Sequence, residues 1–262
     1  MISTQLVATQ QALADIFDRH DRVFLGFSGG KDSLTLAHLC EPWRDRLTLL
    51  WSNTGHMAPH MVDFVRGHRD RYDLIEVAPE HPMLDQWREH GAPADILPLE
   101  HVEGIDWRAP RLQPWTDCCG AHRVGPVLTY VSGLNGSCAL LLGQRQIDEG
   151  GTPAGLSSAA PAHVEVALPL WDWSTSDVLA YAAKQGLRLA PHHADCPTSL
   201  ECTICPANLS REKLDLLDRL YPEDAAFVRQ AARHSLSLAA AKANEILAVL
   251  DGTGFAAREL RR

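Results

Sequence analysis

Three short stretches of this chain hold residue types that can do chemistry together. The first is SGGKDS at 28–33, which follows the apolar run RVFLGF at 22–27. Gly29 and Gly30 let the backbone approach a ligand closely, and a helix opening there presents unpaired N–H groups and a positive dipole end. That is the chemistry of an anion cradle, with phosphate as its obvious guest. Lys31 supplies a cation for phosphate oxygens, Ser28 and Ser33 supply hydroxyls, and Asp32 can help hold a metal ion. A Walker A loop needs glycine at 25 and Ser or Thr at 32, where this chain has Leu25 and Asp32, and the stretch is not G-x-G-x-x-G either.

The other two stretches are thiol pairs. DCCGAHRVGPV at 117–127 sets Cys118 and Cys119 ahead of a basic residue and a proline, and ECTICPANL at 201–209 supplies Cys202 and Cys205 in a C-x-x-C. Two thiol pairs distant in sequence and joined by a fold make a four-thiolate metal site. Zinc fits that count. Adjacent cysteines bind one small tetrahedral ion awkwardly, whereas a 4Fe-4S cluster offers separate irons, so geometry favours iron-sulfur modestly and leaves zinc open. Cys40 and Cys138 lie in apolar runs and read as small core residues.

The elements that position these residues alternate in the α/β manner. Helical spacing runs over 3–20, and strands are expected at 22–27, 46–52, 73–77, 138–143 and 164–168. Helices follow from about Ser33, Ala58 and Met83, and Ser174 with Asp177 forms a capping pair for another. Strands separated by helices imply an α/β fold: a mostly parallel twisted sheet, Rossmann-like, with helices on both faces and ligands bound beyond the carboxyl ends of its strands. The segments 91–116 and 149–163 break the pattern, the latter as a candidate mobile loop. From Leu209 the chain reads as helical, which gives an α/β domain over 1–208 and a C-terminal helical appendage over 209–262.

Bulk properties narrow the classes. The 262 residues are 45% hydrophobic, enough for a full core, and contain no apolar run long enough for a bilayer or for an export signal. A cytoplasmic protein without a membrane role is the expectation. Seven cysteines in such a chain read as thiols, metal ligands or redox groups. A formal charge of −9 argues against broad adhesion to nucleic acid, although a local basic groove remains compatible with it.

The order SGGKDS after a strand resembles the pyrophosphate (PP) loop of the adenine-nucleotide α-hydrolase superfamily. The CC pair with Arg123 and Pro126, followed by the distant C-x-x-C, is similar to the cluster-binding signature of the phosphoadenylylsulfate and adenylylsulfate reductases, which DNA phosphorothioation pyrophosphatases share. SNTGHMAPHMVDFV at 52–65 resembles the family's DTG strand end, LLGQRQIDEG at 141–150 its G-x-R loop, and LPLWDWSTSDVLAYAAKQGL at 168–187 its PL-x-x-W segment. Together these cover about residues 20–208. The resemblance implies a nucleotide site of Ser28, Gly29, Gly30, Lys31, Asp32, Ser33, Thr54, Gly55 and Arg123, with Arg145 on an anionic group and an iron-sulfur cluster on Cys118, Cys119, Cys202 and Cys205. Without it, Arg145 would read as a surface ion-pair residue, and His56 reads equally as a phosphate contact or an ordinary histidine.

One departure decides the expected chemistry. The reductases resembled here attack sulfur with a cysteine in a C-terminal ECG-type motif, and this chain has no cysteine after Cys205. Cys196 is the spare thiol, read either as a substitute nucleophile or sulfur carrier or as a structural residue. His192 and His193 beside it are not needed as zinc ligands, because the four-thiolate set is complete. The leading expectation is an ATP pyrophosphatase using ATP and Mg2+ to adenylylate an acceptor for sulfur transfer, with Lys31, Asp32, Arg145 and Cys196 as catalytic candidates. It implies a sulfur-donor protein such as a cysteine desulfurase, and a nucleic-acid or small-molecule acceptor. The alternatives are an adenylylsulfate or phosphoadenylylsulfate reductase that uses Cys196 or a partner's thiol reductant, and a non-catalytic nucleotide and redox sensor.

Overall fold

The computed structural model describes residues 2–94, 112–146, 160–194, 196, 200, 202–207 and 209–252. The loop expected over 149–163 therefore lies almost wholly outside the described residues, as does most of 91–116. In chain order the elements are α1 (Ile2–Arg19), β1 (Val23–Gly26), α2 (Lys31–Leu39), β2 (Leu47–Ser52), α3 (Pro59–Arg66) and β3 (Asp73–Val77). There follow α4 (Met83–His90), β4 (Ala92–Ala94), β5 (Leu112–Pro114), α5 (Trp115–Cys119), a π-turn at Gly120–Val124 and α6 (Gly125–Ser132). β6 (Cys138–Leu141), β7 (Val164–Ala167), α7 (Thr175–Lys184), α8 (Arg211–Leu220) and α9 (Pro222–Leu250) complete the described chain.

The chain divides into two compact units, Met1–Glu80 with Gly120–Cys202, and His81–Cys119 with Thr203–Arg262. The first holds a five-stranded, all-parallel sheet in the order β3-β2-β1-β6-β7. Each strand expected from the sequence is present. Those at the centre read as unbroken apolar runs because both faces are covered: Leu25, Leu49, Leu140 and Leu141 are fully buried. Phe24, Leu50, Leu140 and Val164 pack with Val127 and Val131 of α6 on one side of the sheet. Cys40 and Cys138 are buried core residues as expected.

The strand order reverses between β1 and β6. A reversal of this kind is where parallel α/β sheets form a crevice at the carboxyl ends of their strands. The residues 27–30 after β1 and 142–145 after β6 stand at that crevice.

The second unit departs from the expected boundary at 208. It takes in α4, β4, β5 and α5 together with the C-terminal helices, because this irregular segment finds its apolar partners there. Trp87 stacks on Phe227 with ring centroids 6.1 Å apart, and Gln113 Nε2 donates to the Gly91 carbonyl at 2.6 Å. Leu217, Ala225 and Val228 form the buried seam of α8 and α9.

The capping pair at α7 is formed as the sequence indicates. Ser174 Oγ accepts from the Asp177 N–H at 3.1 Å, and Asp177 Oδ2 accepts from the Ser174 N–H at 3.0 Å. Replacing Ser174 by alanine removes a partner from an orphan helix donor, so Ser174→Ala is expected to lower stability by about 1 kcal/mol in urea titration, with an unchanged m-value.

Candidate functional site

The loop after β1 is a small hydrogen-bonded ring. Ser33 Oγ donates to the Gly30 carbonyl at 3.1 Å and accepts from the Ser28 N–H at 3.3 Å, while Ser28 Oγ accepts from the Gly30 N–H at 3.3 Å. Gly29 has φ +76°, and a Cβ on it would fall 2.7 Å from Val65 Cγ2 of α3. Both features demand glycine. The two serines thus brace the loop, and α2 opens at Lys31 with its amide donors facing outward from Gly30.

Asp32 is the hub of the charged residues. Lys31 Nζ donates to its Oδ2 at 2.8 Å, and Arg145 Nε lies 3.1 Å from its Oδ1, an ion pair by distance but without the angle of a hydrogen bond. Arg145 is almost fully buried and its NH1 also donates to Thr175 Oγ1 at 2.9 Å, at the capped start of α7. The surface ion-pair alternative for Arg145 is thereby replaced by a buried one. Asp32 does not fit the metal-ligand role expected of it here, because its charge is already met by two cations; it pins both of them.

A cavity of about 250 Å³ opens at the crevice. Ser28, Asp32, Ser33, Thr54 and Arg123 of the expected nucleotide set line it, together with Phe27, Leu50, Trp51, Met57 and Leu142 as apolar wall. Gly29, Gly30, Lys31, Gly55 and Arg145 stand outside the lining; Lys31 and Arg145 connect to it through Asp32. Gly55 takes φ +80° in a turn where its N–H is accepted by Asn53 Oδ1 at 3.0 Å, and Thr54 Oγ1 accepts from the His56 N–H at 3.2 Å.

Two site features add to the sequence reading. A Cβ on Gly143 would sit 3.1 Å from the Ser33 nitrogen, a tight contact, so this glycine lets the β6 end abut the loop without a shift. Arg123 rides on the π-turn 120–124, an uncommon geometry associated with functional positions. Ser52 Oγ tethers that turn by donating to the His122 carbonyl at 2.6 Å, and Gly125 is required because a Cβ would fall 2.9 Å from the Gly120 oxygen. The G-x-R spacing was a signal for Gly143; nothing in the local sequence signals a π-turn.

The thiols fall into two groups. Cys118, Cys119 and Cys205 belong to the second unit, where the last two are within electrostatic reach of Cys118. Burial foremost, with those neighbouring thiols, pushes the Cys118 thiol up to about 12, against the opposing pull of the Trp87 indole N–H, which donates to its sulfur at 3.4 Å. Cys202 belongs to the first unit, 3.7 Å from Thr54 Oγ1. Among the described residues no three His, Cys, Asp or Glu side chains are grouped as a metal ion requires. Cys118 is buried while Cys119 and Cys205 are half-buried, and thiols are the donor type a thiophilic centre takes. Cys196 is fully buried, with its N–H on the His192 carbonyl at 2.8 Å.

Comparison with known proteins bears on the same stretch. Residues 22–208 match the phosphoadenosine phosphosulfate reductase domain. An adenosine 5′-phosphosulfate reductase of Burkholderia cepacia is 25% identical over 199 residues, spanning 74% of this chain and 73% of that protein. A phosphoadenylyl-sulfate (PAPS) reductase from Candida auris, in a crystal structure with phosphate, aligns with a TM-score of 0.45 and 17% identity over 70% of this chain and 82% of its own.

The ion-pair hub is testable by a double-mutant cycle. Asp32→Asn leaves buried Arg145 uncompensated and is expected to cost about 2–3 kcal/mol, less than a wholly buried pair because Asp32 keeps some solvent. In that background Arg145→Leu should cost markedly less than in the parent protein; additive losses in urea titration would mean the two groups do not interact.

Proposed function

The chain belongs to the phosphoadenosine phosphosulfate reductase domain family, and from that premise we propose that it is an ATP pyrophosphatase that adenylylates an acceptor for sulfur transfer. The observation that carries this reading is the Lys31-Asp32-Arg145 hub set beside the cavity at the β1/β6 switch point. An acceptor nucleophile attacks the α-phosphorus, the bond to the bridging α–β oxygen breaks, and pyrophosphate leaves with the bonding pair. Charge therefore builds on the leaving group. Lys31 and the first N–H groups of α2 neutralise it, as pre-oriented donors in a partly dry site do best. Arg145, locked by Asp32 and Thr175, orients the activated group with its planar fork. Arg123 adds a cation on the cavity wall, and Ser52 holds the turn that carries it. Mg2+ bound to the nucleotide's phosphates would supply further neutralisation of the leaving pyrophosphate.

The apolar wall of Phe27, Leu50, Trp51 and Met57 suits a purine base. On the sequence pattern, a 4Fe-4S cluster, with zinc as the alternative, takes Cys118, Cys119 and Cys205 with Cys202 as a fourth ligand, and when bound it supplies a sulfur or electron relay. The sulfur comes from a donor protein, and the acceptor is a nucleic acid or a small molecule. With a formal charge of −9, a nucleic-acid acceptor is best delivered by a partner protein.

The second reading is reduction of a sulfonucleotide, favoured by the named activity of the Burkholderia cepacia relative. It needs a thiol that reaches the sulfur atom. The complete burial of Cys196 weighs against that residue, so the thiol would be a partner's.

One anaerobic preparation separates the two. Pyrophosphate released from ATP, dependent on acceptor and reduced about a hundredfold or more in Lys31→Ala, is the expected result. Sulfite released from adenosine 5′-phosphosulfate with a thiol reductant, and no pyrophosphate from ATP, would overturn it in favour of the reductase. Iron and acid-labile sulfide are expected in the same preparation and should fall sharply in Cys118→Ala; zinc in their place would replace the cluster by the alternative.

A further inference from the structure

A carboxylate of the first unit stands close to the cavity wall and takes no part in the chemistry above. Glu76 lies on β3 opposite Trp51, one step before the β2–β3 ladder ends at Ser52 and Val77. Arg66 of α3 grips it as a fork, with Nη2 donating to Oε1 at 2.9 Å and Nε to Oε2 at 3.2 Å, and Arg69 Nη2 donates to Oε2 at 3.2 Å. Two such cations leave the carboxylate one orientation. Its Oε1 then accepts a further donor, Asn53 Nδ2, at 2.7 Å.

Asn53 is the first residue beyond the ladder, tied by its own N–H to the Val77 carbonyl at 2.8 Å. Its side chain serves two neighbours. Nδ2 meets the carboxylate, and Oδ1 accepts the Gly55 N–H at 3.0 Å, closing a turn in which Gly55 has φ +80°. A flipped amide would set its NH2 against an N–H and its oxygen against a carboxylate, so only one placement satisfies both sides. Between these fixed points lies Thr54, which is buried, lines the cavity and accepts the His56 N–H on Oγ1 at 3.2 Å. A hydroxyl that accepts still has its own proton to donate.

We infer that Glu76 is a positioning residue of the nucleotide site: acting through the Asn53 amide, it holds the 53–55 turn so that the Thr54 hydroxyl donates to a phosphate oxygen in the cavity. The inference rests on the reading that this cavity takes an adenylyl nucleotide. Arg66 and Arg69 fix the carboxylate and the edge strand β3 carries it, so the site is supported from that edge as well as from α2. Without Glu76 the Asn53 amide is released to rotate, and the turn loses its setting against the cavity.

ATP with Mg2+ is the probe, titrated calorimetrically into the full chain, with urea transitions run alongside to establish that each variant is folded. Asn53→Ser cuts the link to Glu76 while leaving a hydroxyl that accepts the Gly55 N–H, and Glu76→Ala cuts it from the other end. Each should weaken ATP binding about five- to tenfold, the scale of one net hydrogen bond. The double variant should bind no more weakly than the weaker single one. Thr54→Val should lose as much, and in its background neither change should weaken binding further. Thr48→Ala removes a different β2–β3 link, the 2.8 Å bond from Thr48 Oγ1 to Asp73 Oδ2, and should bind ATP as the parent does whatever its stability.

Parent-like affinity in folded Asn53→Ser or in Thr54→Val, additive losses in the double variant, or an undiminished loss in the Thr54→Val background overturns the inference. So does an equal loss in Thr48→Ala, which would mark the effect as general loosening of the β2–β3 pair. If Glu76→Ala does not fold, Asn53→Ser and its combination with Thr54→Val decide alone. A parent protein that binds neither ATP nor adenosine 5′-phosphosulfate fails the nucleotide reading itself.

Discussion

Everything at the crevice depends on one carboxylate held between two cations. Asp32 sits on the first turn of α2 and faces Lys31 from its own turn and Arg145 from beyond β6. Arg145 is 2% exposed, so its guanidinium could not stay there without a counter-charge. The pairing therefore does structural work before any ligand arrives. A lysine alone on a glycine loop would bind phosphate but would not be coupled to the opposite wall.

The sheet supplies that coupling. With β1 at the centre and β6 beside it on the far side of the reversal, the loop 27–30 and the segment 142–145 are brought together although they are more than a hundred residues apart in the chain. Their approach is close enough that a Cβ on Gly143 would press on the Ser33 nitrogen at 3.1 Å. α7 closes the chain of dependence, since its capped first turn offers Thr175 to Arg145. A surface cap, a buried ion pair and an anion loop are thus one mechanical sequence. Serine and threonine do most of the bracing: Ser28 and Ser33 within the loop, Ser52 on the π-turn, Ser174 on α7.

The sequence made local features readable and non-local ones obscure. SGGKDS after an apolar run, the five strands and the Ser174/Asp177 cap are written in contiguous residues, and each is found. The membership of 81–119 was not readable, because its short strands β4 and β5 have no alternating pattern and its apolar anchor, Trp87, finds Phe227 more than a hundred residues later. Without the family resemblance, Arg145 reads as a surface residue for the same reason. Its counter-charge, Asp32, is local to a different motif, and only the strand order makes them neighbours. Cys196 shows the converse: proximity to a thiol motif suggested reactivity, while its complete burial comes from packing that no spacing reveals.

The electrostatic character of the two units follows from their donors. In the first, the cations Lys31 and Arg145 are fixed by their shared carboxylate, Asp32. In the second, Cys118 is a buried thiol beside other thiols, with one indole N–H aimed at its sulfur. That N–H stabilises a thiolate, and burial and the neighbouring thiols oppose it; burial dominates, so the sulfur stays protonated. Only a positive centre bonded directly to sulfur can reverse that balance, and it would find the Trp87 hydrogen bond in place to spread the new charge. A disulfide offers no such cation, and adjacent residues 118 and 119 close too small a ring for an unstrained bridge. Burial thus governs the charge state of Cys118, as pairing with Asp32 governs the cations of the first unit.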